Sequence, residues 1–81
     1  MHTKIEGYHT QRCSDIDRDG ILLELIDAES GNEVAEVFYS DITKKMQITL
    51  YAADLPLEAV EFLISKARSD LPETKETEEK A

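Results

Sequence analysis

The sequence predicts an α+β fold: a three-stranded antiparallel meander packed on one C-terminal helix, preceded by a segment that is either a loose arm or a fourth, edge strand. Three observations carry this expectation. Short apolar runs around residues 20–26, 33–40 and 45–53 are separated by turn residues. Pro56 then opens a stretch whose apolar residues recur at helical spacing. With 81 residues, the chain has room for one domain and one modest core.

Residues 1–17 mix His, Thr, Gln, Arg and Asp around isolated Ile5 and Tyr8, so alternation is faint and no helical stripe forms. The run Gly20-Ile21-Leu22-Leu23-Glu24-Leu25-Ile26 is short and apolar, as expected of a mostly buried strand. Glu29-Ser30-Gly31 suits a three-residue hairpin loop, with Gly31 able to take positive φ. Asp41-Ile42-Thr43-Lys44 is a four-residue turn between the second and third strands. Pro56 belongs in the first turn of a helix, and Asp54 and Glu58 complement its N-terminal dipole. The predicted core stripe is Leu57, Val60, Leu63, Ile64, Ala67 and Leu71, with Phe62 beside it either widening the stripe or meeting a partner. Pro72 ends the helix. Residues 72–81 form a charged tail too poor in apolar groups to order, so the expected units are an arm at 1–17, a domain at 18–71 and a disordered acidic tail.

These loop lengths fix a register. Ala28 faces Asn32, and the pairs Leu25/Ala35, Leu23/Val37 and Ile21/Tyr39 share one face, continued through Tyr39/Met46, Val37/Ile48 and Ala35/Leu50. The helix covers that face. The other receives Leu22, Glu24, Ile26, Val34, Glu36, Phe38 and Tyr51, with Gln47 and Thr49. So apolar a second face marks an interaction surface. Its cover is the arm, a second copy of the chain, or a different protein. Glu24 opposes Glu36 there, and like charges so placed call for a cation, a shared proton or a basic partner.

Acidic residues number 18 against 9 basic ones, a formal charge of -9. That field repels phosphate backbones and anionic lipid, so neither nucleic acid nor membrane is an expected partner. Cys13 is the one cysteine, and no segment has the length or apolarity of a signal peptide or membrane span; both features predict a cytoplasmic protein. His2, His9 and Cys13 match no closed zinc site, and Cys13 with His9 lacks the third, orienting group of a nucleophile-base pair. No catalytic residue, cofactor or metal ligand is assigned, and the chain is expected not to be an enzyme.

Asp15-Ile16-Asp17-Arg18-Asp19-Gly20 resembles the start of an EF-hand calcium loop. Ile26 stands where that family carries its bidentate glutamate, so an acidic turn into the first apolar strand is the preferred reading over a weak cation site. The strings Glu36-Val37-Phe38-Tyr39-Ser40-Asp41, Met46-Gln47-Ile48-Thr49-Leu50-Tyr51 and Asp54-Leu55-Pro56-Leu57-Glu58-Ala59-Val60-Glu61 resemble small bacterial proteins of unknown function with a sheet followed by an LPLE helix. This resemblance implies architecture and bacterial origin, and no chemistry. The expected function is a non-enzymatic protein-interaction module, homodimeric through the helix-free face. The alternatives are an acidic, immunity- or inhibitor-like binder of a basic partner, and a weak calcium-binding protein.

Overall fold

A computed structural model describes residues 5–71. It contains four strands, β1 (Tyr8–Asp15), β2 (Gly20–Asp27), β3 (Glu33–Ser40) and β4 (Met46–Leu50), and one helix, α1 (Leu57–Asp70). The strands form one antiparallel sheet in the order β1-β2-β3-β4. The arm-or-strand alternative thus resolves as an edge strand over Tyr8–Asp15, paired with β2 from Tyr8↔Asp27 to Asp15↔Gly20. Ile5 and Tyr8, the two apolar residues expected to fold over the opposite face, pack instead on the helix-side core. The expected tail at 72–81 and His2 lie outside the described residues.

The predicted pairs Leu25↔Ala35, Leu23↔Val37 and Ile21↔Tyr39 are present, as are Ala35↔Leu50, Val37↔Ile48 and Tyr39↔Met46. The second turn closes as expected: Ser40 N–H donates to Lys45 O at 3.0 Å, and Ser40 Oγ accepts from Ile42 and Thr43 N–H. The first hairpin differs. Asp27 Oδ1 accepts from Glu29 and Ser30 N–H, and the closing pair is Asp27 with Asn32 in place of Ala28 with Asn32. A bulge between Leu25 and Ile26 pairs Ile26 with Glu33 and restores the predicted register from Leu25↔Ala35 onward. Its consequence is a correction. Val34, expected on the second face, is buried in the helix-side core, and Glu33 takes the place beside Ile26.

The helix buries Ala59, Phe62, Leu63 and Ala67 against Leu23, Leu25, Val34, Ala35 and Val37, with Leu71 closing the end. Phe62 is core. The stripe is rotated from its predicted centre, because Leu57 and Ile64 stand exposed. α1 lies over β2 and β3, leaving the helix side of β4 uncovered at Met46, Ile48 and Leu50, which are 40%, 41% and 55% exposed.

Candidate functional site

The helix-free face presents Leu22, Glu24 and Ile26 from β2, and Glu33, Glu36 and Phe38 from β3. Pairing adds His9, Gln11 and Cys13 from β1, opposite Ile26, Glu24 and Leu22. At its centre Glu24, Glu33 and Glu36 each offer one carboxylate oxygen within 4.8 Å of the others. Glu24 and Glu36 are cross-strand partners, as the register predicts. Glu33 joins them only because of the bulge.

Arg18 bridges this cluster to the aspartate turn. Its Nε donates to Asp15 Oδ2 at 2.6 Å, its backbone N–H donates to Asp15 Oδ1 at 3.2 Å, and its Nη2 donates to Glu36 Oε2 at 3.3 Å. The guanidinium carbon lies 4.2 Å from the Phe38 ring centroid, a cation-π arrangement. Gly20 lies beneath the same ring. A Cβ there would meet Phe38 ring carbons at 2.6 Å and crowd the Tyr39 carbonyl. Held between Gly20 and Arg18, Phe38 is only 6% exposed, so it braces the face more than it offers contact area. Leu22 and Ile26 are half-buried and Tyr51 is exposed, and these supply the accessible apolar rim.

Electrostatics single out Glu33. Desolvation, then its contact with the Glu36 carboxyl, then the charges of Glu24 and Glu36 push its pKa up to about 7. Its Oε2 is buried and has no hydrogen-bond donor among the described residues. Desolvation first, and then the charges of Glu36 and Glu33, also raise the Tyr51 phenol. Hydrogen bonding to Arg18 lowers Asp15, whose carboxylate is thereby engaged within its own turn.

No protein-family model, curated protein or solved structure matches this chain.

Chemically, three converging carboxylates can share a proton, coordinate a hard cation, or receive an ammonium or guanidinium group. Arg18 demonstrates the last option on Glu36. Of the predicted residues, Leu22, Glu24, Ile26, Glu36, Phe38 and Tyr51 come together and Val34 does not. The sequence reading missed Glu33 and Arg18. For Glu33 a signal was present: the strict register put a glutamate on the core side and its valine neighbour outside, a conflict that one bulged residue relieves. Arg18 read as one member of a charged turn, with nothing local to show that it reaches β3.

Proposed function

We propose that the protein is a non-enzymatic interaction module whose helix-free face binds a basic side chain of a protein partner. The observation that carries this reading is the Glu24, Glu33, Glu36 cluster, in which Arg18 pairs with Glu36 but, among the described residues, no cation pairs with Glu24 or Glu33. An incoming lysine or arginine supplies the missing donors, and Leu22, Ile26 and Tyr51 supply apolar contact around it. A second copy suits this face less well, because a two-fold axis through its centre would set two such carboxylate clusters against each other. The charge of -9 would speed encounter with a basic partner and make it salt-sensitive. The single cysteine fits a reducing cytoplasmic setting.

The test is titration with a short arginine-containing peptide at low ionic strength, followed by amide chemical shifts. The expected result is a set of shifts centred on Leu22, Glu24, Ile26, Glu33 and Tyr51, lost in Glu24→Gln/Glu33→Gln. Affinity should rise with pH through about 7 as Glu33 gives up its proton. Shifts spread evenly over the acidic surface, or produced by calcium and not by the peptide, would overturn the reading.

A further inference from the structure

We infer that β4 is a self-pairing edge, through which two copies of the chain join β4 to β4 antiparallel about a two-fold axis at Ile48. This surface is separate from the carboxylate face and does not rest on the function proposed for it. Ser40 N–H donates to Lys45 O and Tyr51 N–H donates to Val34 O, so Lys45 and Tyr51 direct their main-chain groups toward β3. Strand alternation then turns the N–H and C=O groups of Met46, Ile48 and Leu50 off the sheet edge. No strand of the described residues lies beyond β4.

The two edges of the sheet differ. On the helix side β1 carries Thr10, Arg12 and Ser14, the polar residues that blunt an edge against pairing. On the same side β4 carries Met46, Ile48 and Leu50, all exposed, beside a groove that continues to Ile64 and is rimmed by Lys44, Lys45 and Arg68.

Self-complementarity makes the occupant a second copy. With Ile48 opposite its counterpart, Met46 falls opposite Leu50 of the second copy, and both pairs have outward main-chain groups able to exchange N–H···O bonds. Lys45 falls opposite Tyr51, and past the strand ends Lys44 approaches the bend at 52–54 of the other copy, which holds Asp54. Apolar residues meet apolar ones, and positive ends meet negative ones. A two-fold axis normal to the sheet keeps both helices on one side and leaves both carboxylate faces open on the other.

Amide hydrogen exchange of the full chain at rising protein concentration tests this directly. The expected result is growing protection of the Met46, Ile48 and Leu50 amides, while the mass moves from 9.2 kDa toward twice that value. Amides of Gln47 and Thr49, which face β3, should not change. Ile48→Pro removes an outward N–H without breaking a bond to β3, and Ile48→Lys sets two cations face to face; each should weaken association roughly tenfold or more. Glu24→Gln/Glu33→Gln should leave it intact. A monomer at every concentration, a dimer in which those three amides exchange as fast as in the monomer, or protection that survives both Ile48 variants would overturn the inference.

Discussion

Glu33 holds its proton to about pH 7 in the folded chain, against an ordinary value of 4.5, because burial and neighbouring carboxylates disfavour its charge. Between those values the unfolded chain binds fewer protons at this position than the folded one. Stability should therefore decline as pH rises from about 4.5 to about 7 and level off above. Glu33→Gln keeps the shape and removes the titration. Melting temperatures across this range should thus fall more steeply for the native chain than for the variant, with the variant the more stable of the two near pH 8. Parallel slopes would show that the proton sits elsewhere. Asp15 works in the opposite sense: Arg18 lowers it, so its contribution is present above its ordinary value and fades as pH falls through the lowered one.

At the scale of elements, the helix face is the point on which sequence and packing disagree most usefully. Apolar residues at 57, 59, 60, 62, 63, 64, 67 and 71 span a wide arc, and periodicity alone does not say which direction faces the sheet. The position of α1 over β2 and β3 decides it, burying Leu63 fully and leaving Ile64 38% exposed. Leu63→Ala should cost about 2–5 kcal/mol, as a cavity in a packed core does, and Ile64→Ala less than about 1 kcal/mol in the monomer. Denaturant titration of the two variants separates them; equal losses would mean that the stripe lies where the sequence first suggested. The meander was legible because turn chemistry and alternation specify register together. For Val34 and Glu33 the conflict was legible but its resolution by a bulge was not, since a bulge arises from fitting two strands to a loop one residue out of step. Nor was β1, whose faint pattern becomes a strand only with β2 present to pair with it. The acidic face was legible in outline, through Glu24 and Glu36, but its buried donor-free oxygen and its arginine depend on contacts distant in sequence.

For the whole molecule, the two surfaces should answer salt with opposite signs. Each copy carries -9, and its radius of gyration of 12.8 Å sets paired centres ~25 Å apart. Treated as point charges in water, two such copies repel by roughly 6 kcal/mol at 0.01 M salt and under about 1 kcal/mol at 0.15 M. The end contacts between Lys44, Lys45 and Asp54 are exposed, and exposed pairs contribute about 0–1 kcal/mol, so screening of the repulsion outweighs loss of the contacts. Added salt should therefore strengthen pairing through β4. Attraction of a cationic peptide to the Glu24, Glu33 and Glu36 face should weaken over the same range, because there screening removes the favourable term. Sedimentation and peptide titration at 0.01 M and 0.15 M salt measure both responses in the same samples. A dimer that weakens as salt is added would overturn this prediction, because it would mean that attraction between the Lys44, Lys45 and Asp54 ends outweighs the net repulsion of the two copies.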